Sequence, residues 1–526
     1  MWTLQSAVVF VWSLGVTDAL NSEPVTCLEG PDCLVTVRHN KTSLMETYEA
    51  SVELPKTCSR LTNRDNVLYT MGIDVGTPSV KFDVVCDTGS DIMVIPYAGC
   101  SSCIRKSKAT YNATKSDTGS MLNYAVEIEY GSGSISGPMA VDKITALGMT
   151  VEKQEFTAMS QESLDNYERY KFDGIFGLGK RHQTAEEIEE MAKKAKQVSN
   201  KSGSTLVMKK YRARPFLKNA GVEAFSICLS RNGDGDIIVG QDPSLEFATV
   251  MTKGDFHWEL PLNGFQLSSE YSSPTQLSHC RNENCSAIVD SGTTLIMGPG
   301  DQIDEVYARL CDSIEGCAGD NTTAKADSFL EWLMACPKTM MQLPRIEFLL
   351  GDKYIGLDPV NYLMVTHKRS TSFLSESPAD AEGITKVLKS MLNKRLHEKA
   401  MQMLEKEDTS HLCTTVLMEM GSTLSSGEND PMWILGMPVM RQYTVLFDQG
   451  SDDIGNGPSV GFAQTERCCG ACGNCASSSA LLESAHDSME SELMEDEEHL
   501  KFLDQFQKIV PKMAPRTFDI EKFQSR

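Results

Sequence analysis

Short apolar runs that stop abruptly at Asp, Gly or Pro recur along this chain, and they predict strands closed by tight turns. One runs from Val67 to Val75 and ends at Gly76-Thr77-Pro78. Val126-Glu127-Ile128-Glu129-Tyr130 alternates and then breaks into Gly131-Ser132-Gly133-Ser134-Ile135-Ser136-Gly137, the pattern of a hairpin with a mobile tip. Two further runs nearly match each other: Val84-Val85-Cys86-Asp87-Thr88-Gly89-Ser90 and, 203 positions on, Ala287-Ile288-Val289-Asp290-Ser291-Gly292-Thr293-Thr294. Each reads as a buried strand leading into a turn that presents a carboxylate, with Gly relieving the backbone.

Two apolar strings rich in Gly follow these turns. They are Phe172-Asp173-Gly174-Ile175-Phe176-Gly177-Leu178-Gly179 and Trp433-Ile434-Leu435-Gly436, lying 88 and 144 residues beyond the respective Asp. The chain therefore carries a degenerate repeat at the scale of a domain. Two stretches look like insertions. Thr184–Lys196 is rich in Ala, Glu and Lys and is expected to be helical, with Glu190 and Lys194 four residues apart. In the segment 366–410, Ile384, Val387, Leu388, Met391 and Leu392 follow the spacing of an amphipathic helix that packs one face onto the body.

Two Asp turns brought face to face make a proton-transfer device. Like charges a few ångströms apart cannot both ionise, so one carboxyl holds a proton while the other acts as base. A single Asp-hydroxyl-Gly turn carries little information, whereas two copies with the same apolar lead-in point to Asp87 and Asp290 as a working pair.

At 526 residues the chain exceeds what one core holds, so two lobes plus extra segments are expected. A net charge of −23 excludes nucleic-acid binding, which needs a basic face. Residues 1–19 read as a secretory signal, with an apolar stretch from Ala7 to Val16 and small residues at Thr17-Asp18-Ala19. The lack of Lys or Arg before that stretch leaves an uncleaved anchor as the alternative. Sequons at Asn40, Asn112, Asn200, Asn284 and Asn321 fit a secretory route, ending outside the cell or in an acidic vesicle or vacuole.

Seventeen cysteines point the same way. Spacing offers the local pairs Cys100 with Cys103, Cys280 with Cys285, and Cys311 with Cys317, while Cys86 and Cys228, set in apolar runs, read as buried free thiols. The tail 467–526 opens with Cys468-Cys469-Gly470-Ala471-Cys472-Gly473-Asn474-Cys475, for which disulfides are favoured over zinc, and it continues into an acidic stretch suited to an unknown partner. Ahead of the body, alternation over Leu34–Thr42 with Arg38 and Lys41 predicts a strand whose cations face a carboxylate-rich cleft. The basic run Lys209-Lys210-Tyr211-Arg212-Ala213-Arg214 is an alternative cleavage point.

Taken together, both Asp turns, Tyr130-Gly131, the Phe172–Gly177 string and Trp433–Gly436 continuing to Arg441-Gln442-Tyr443 and Phe447-Asp448 resemble the pepsin-like aspartic proteases, across roughly Asn66 to Gln464. The resemblance implies a mostly β, bilobal fold with a central cleft: a propeptide over 20–65, an N-terminal lobe over 66–240 and a C-terminal lobe over 241–466. It implies an endopeptidase for extended peptides, made as a zymogen and monomeric, since one chain carries both motifs, with no cofactor and no metal. Asp87 and Asp290 would hold the attacking water. Gly89 and Gly292 amides and Ser90 and Thr293 hydroxyls would orient them, Thr88 and Ser291 would tie the two turns together, and Tyr130 and Gly131 would cover the substrate. Cys336 would pair with Cys413 around the large insertion. Two departures stand out: Val94 occupies the place of a Trp that bonds the covering Tyr, and Met437 that of an Asp. The rival reading, a silent binding or inhibitor protein of the same fold, fits poorly with a chain that keeps both Asp, both Gly and both hydroxyls.

Overall fold

The computed structural model describes three strands before residue 54 and most of 58–464. Segments 131–132, 165–171, 181–205, 209–214, 368–410, 421–429 and 451–456, and several shorter ones, lie outside this set. The signal segment, the helix expected over Thr184–Lys196, the basic run at 209–214, the amphipathic helix of the insertion and the whole tail from 467 therefore lie outside the described residues.

Two units divide between Thr57 and Cys58. In the first, Leu34–Thr42 is a strand, paired antiparallel with Met45–Glu53 and with the short Val25–Thr26. The register sets Arg38 opposite Glu49 and Lys41 opposite Glu46.

The second unit is built on strands. Val80–Asp87 pairs antiparallel with Leu68–Val75 on one side and parallel with Gly174–Gly177 on the other, where Phe176 stands opposite Cys86 and Gly177 opposite Asp87. The strand Val94–Pro96 completes this arrangement by pairing with Ile175. In the second half, Ser286–Val289 pairs parallel with Met432–Leu435, and Ile296–Gly298 pairs with the other edge of that strand. Both apolar-Gly strings thus become the middle strand between the chain entering an Asp turn and the chain leaving it. The glycines are required there: a Cβ on Gly174 would meet the Val94 carbonyl, one on Gly177 the backbone of Asp91 and Ile92, and one on Gly436 the Thr293 carbonyl.

A run of strands joins the halves. Cys58–Arg64, Gly235–Val239, Ala224–Cys228, Tyr443–Asp448, Ser459–Gln464 and Ala248–Met251 pair in that order, so the C-terminal strands close against N-terminal ones. Phe225 stacks on Phe447 at 5.0 Å, both fully buried, with Trp258 edge-on to each. The Trp258 indole also donates to the Leu178 carbonyl at 3.0 Å. Cys58–Arg64 falls inside the stretch expected to leave as a propeptide, yet it is an internal strand, paired on both sides.

Disulfides join Cys100 to Cys103, Cys280 to Cys285, Cys311 to Cys317 and Cys336 to Cys413. The last one anchors the ribbon of Leu363–His367 with His411–Thr415, from which the large insertion departs. Cys86 is a buried free thiol. Cys228 corrects the expectation: it is disulfide-bonded, as is Cys58. An apolar setting does not separate the two states, because a cystine is as apolar as a thiol.

Candidate active site

Strand pairing carries both Asp residues to neighbouring strand ends. The Leu178 amide donates to the Asp87 carbonyl at 2.7 Å, and the Asp290 amide donates to the Leu435 carbonyl at 3.0 Å, so each turn is pinned to its own apolar-Gly strand. Asp87 is 7% exposed, whereas Asp290 is half-buried.

The two turns are wired alike. The Gly89 amide donates to Asp87 Oδ1 at 2.9 Å, and the Gly292 amide donates to Asp290 Oδ1 at 2.8 Å. Ser90 Oγ donates to Asp87 Oδ2, and Thr293 Oγ1 donates to Asp290 Oδ2 at 2.5 Å. Across the junction the hydroxyls exchange backbone bonds. Thr88 Oγ1 accepts from the Ser291 amide at 2.9 Å and donates to the Val289 carbonyl at 3.0 Å. Ser291 Oγ accepts from the Thr88 amide at 3.0 Å and donates to the Cys86 carbonyl at 2.8 Å. Thr88 and Ser291 are both buried, so these four bonds form away from water.

The glycines show how closely the carboxylates face each other. A Cβ on Gly89 would lie 2.7 Å from the Asp290 carboxyl carbon, and one on Gly292 would lie 2.9 Å from that of Asp87. Only a residue without a side chain fits at either place. Burial, and after it the negative charge of Asp290, raise the Asp87 pKa far above the ordinary carboxylate range; the Ser90 and Gly89 bonds oppose this and do not overcome it.

Beside the Asp87 turn lies the hairpin of Ser120–Tyr130 and Gly133–Ala146, in which Tyr130 pairs with Gly133. Gly131, the expected companion of Tyr130, lies outside the described residues. The Tyr130 ring packs against a cluster that includes Val85, Ile92, Val94, Phe172 and Ile175. Val94 is fully buried and gives the tyrosine no polar partner. Met437 is also fully buried, and its amide donates to the Thr293 carbonyl at 2.9 Å, so this position supports the second turn through its backbone.

Sequence reasoning missed Lys180. It is 3% exposed, and its ammonium donates to Thr252 Oγ1 at 2.9 Å and to the Gly254 carbonyl at 2.6 Å. The Gly-rich string before it was its only signal, since a lysine is ordinarily solvated. One group of possible metal ligands occurs among the described residues, Cys280, Glu283 and Cys285, but the disulfide between the two cysteines removes both thiolates.

The model of the family described as eukaryotic aspartyl protease matches residues 68–388. Cathepsin E of Mus musculus is 26% identical over 411 residues, covering 76% of this chain and 82% of that protein. Gastricsin of Rattus norvegicus is 23% identical over 399 residues, covering 74% and 81%, and cathepsin E of Aquarana catesbeiana is 24% identical over 426 residues, covering 79% and 85%. With the family match spanning most of the chain and two Asp turns locked face to face, the chain belongs to the pepsin-like, eukaryotic aspartyl protease family.

Proposed function

We propose that this chain is an active aspartic endopeptidase, made as a secretory zymogen, that cuts extended peptides between its two carboxylates. The observation that carries this reading is the mutual fit of each turn glycine to the opposite carboxyl. Such a pair shares one proton, and the two titrations belong to the pair rather than to either residue. A water held between them loses a proton to the ionised carboxylate as its oxygen bonds to the scissile carbonyl carbon, while the protonated carboxyl donates to the carbonyl oxygen. The tetrahedral carbon then collapses, the C–N bond breaks, and the nitrogen leaves with a proton returned from the pair. Gly89, Ser90, Gly292 and Thr293 fix the carboxylates throughout, so little reorganisation accompanies the charge transfer.

The zymogen part of the reading places processing before Cys58. Removing residues up to 65 would strip a strand paired on both sides and cut away a disulfide-bonded cysteine. N-terminal sequencing of the active form is expected to find a start between 54 and 58, and a start beyond 65 contradicts this boundary. Secretion fits the oxidised cysteines. Among the described residues no helix is long and apolar enough to cross a membrane.

The activity is tested by incubating purified mature protein with an unstructured protein at acidic pH. Cleavage that a statine-type inhibitor blocks is the expected result. Full activity in Asp87→Ala or Asp290→Ala contradicts the proposal.

A further inference from the structure

Leu178, Gly179 and Lys180 form a strap between the Asp87 turn and the second half of the chain. On one side, the Leu178 amide donates to the Asp87 carbonyl and the Gly179 amide to the Ser90 carbonyl, each at 2.7 Å. A Cβ on Gly179 would lie 2.8 Å from that Ser90 oxygen, so strap and turn are in direct contact. On the other side, the Leu178 carbonyl accepts from the buried Trp258 indole at 3.0 Å. The Lys180 ammonium donates to Thr252 Oγ1 at 2.9 Å and to the Gly254 carbonyl at 2.6 Å. The receiving segment is itself fixed. Thr252 Oγ1 donates to the Pro458 carbonyl at 3.1 Å, and the Lys253 amide donates to the Glu259 carbonyl at 2.7 Å. Trp258 closes the circuit, since its own carbonyl accepts at 3.1 Å from the amide of Val289, the residue before Asp290.

We propose that Lys180 is a positioning residue for the peptidase reaction: it clamps the strap onto the 252–258 segment and so fixes Asp87 relative to Asp290. The inference rests on the endopeptidase reading. Lys180 acts through the backbone of Leu178 and Gly179, and it adds a second connection between the two turns besides the exchange of Thr88 and Ser291. Taking an ammonium out of water is costly, and fixed oxygens must replace the water it loses. At 3% exposure Lys180 meets that condition only while the strap and the 252–254 loop keep their spacing.

Two variants test the clamp. Lys180→Met keeps the apolar stem and removes the ammonium, and Thr252→Val removes one of its acceptors while leaving the lysine in place. For a peptide substrate, kcat per folded molecule is expected to fall by about tenfold in Lys180→Met and by less in Thr252→Val. KM should stay within about twofold, because the carboxylates are displaced while the cleft that binds peptide is not. The double variant should lose no more than Lys180→Met alone, since both changes break the same clamp. Phe225→Leu opens the aromatic cluster beside Trp258 and removes none of the strap's bonds, so it should lower the melting temperature and leave kcat unchanged. Wild-type kcat per folded molecule in Lys180→Met and Thr252→Val overturns the proposal, whatever their melting temperatures. An equal fall of kcat in Phe225→Leu also overturns it, because loosened packing would then suffice. If Lys180→Met does not fold, Thr252→Val decides: lowered kcat at unchanged KM supports the clamp, and wild-type kcat overturns it. Wild-type protein that cleaves no peptide defeats the endopeptidase reading itself, whereas active wild type with unaffected variants defeats this inference alone.

Discussion

The Asp87 and Asp290 turns use the same four kinds of bond, yet they sit in different surroundings. Asp87 is 7% exposed, lies beside the Tyr130 hairpin and is preceded by a buried thiol. Asp290 is half-buried, and its neighbour Thr294 donates to the Val67 carbonyl at 2.6 Å, which ties the second turn to the first half of the chain. The wiring sets geometry and is duplicated; the surroundings set protonation and are not. A repeated motif can thus deliver two carboxylates in matched positions within unequal surroundings.

The largest expected effect tests the matched geometry. Gly292→Ala drives a methyl group into Asp87, which is buried and has no room to yield, whereas Gly89→Ala drives one into the more exposed Asp290. Peptidase activity should fall by more than about a hundredfold for Gly292→Ala, the scale of an ångström misplacement, and by less for Gly89→Ala. Equal losses would show that exposure does not decide how the site accommodates strain.

Next in size is the cross-connection. Ser291→Ala and Thr88→Val each remove one hydroxyl that both accepts and donates, leaving a buried amide and a buried carbonyl unpaired. Each should lower unfolding free energy by about 2–4 kcal/mol in denaturant titration. Because the bonds are reciprocal, the two losses should agree within about 1 kcal/mol, and a clear inequality would break the symmetry of the junction.

The smallest effect tests the raised proton affinity at Asp87. The Asp87 carboxyl is raised in the folded protein, so the folded state retains a proton that the unfolded chain has released. Its contribution to stability is therefore fully present below the ordinary carboxylate pKa of about 3.9 and declines as pH rises from there. The decline ends once pH has passed the raised folded value of about 8. Asp87→Asn removes this slope, which thermal melts at a series of pH values will measure. An identical slope in the variant would place the retained proton elsewhere.

Much of this was legible in the chain. The apolar lead-ins and the Gly-rich strings announce strands that must pack backbone to backbone, and in the fold they are neighbours, Val85 opposite Ile175 and Ile288 opposite Ile434. Cysteines three, five and six apart could be paired on sight because local spacing limits what they can reach. Features set by long-range pairing were hidden. Cys228 gives no local sign of its disulfide, Lys180 finds its acceptors 72 and 74 residues away, and Cys58–Arg64 is known as an internal strand only through Leu68–Val75 and Gly235–Val239. The exchange between Thr88 and Ser291 spans 203 residues and followed from family resemblance rather than from spacing.

The central claim is that the two carboxylates act as one device, and a mutant cycle tests it most directly. Asp87→Asn, Asp290→Asn and the double variant should be equally inactive, each at least about a thousandfold below wild type, because residues acting as a unit lose everything when either is removed. Losses that add, or a single variant that keeps measurable turnover while the double does not, would contradict the account.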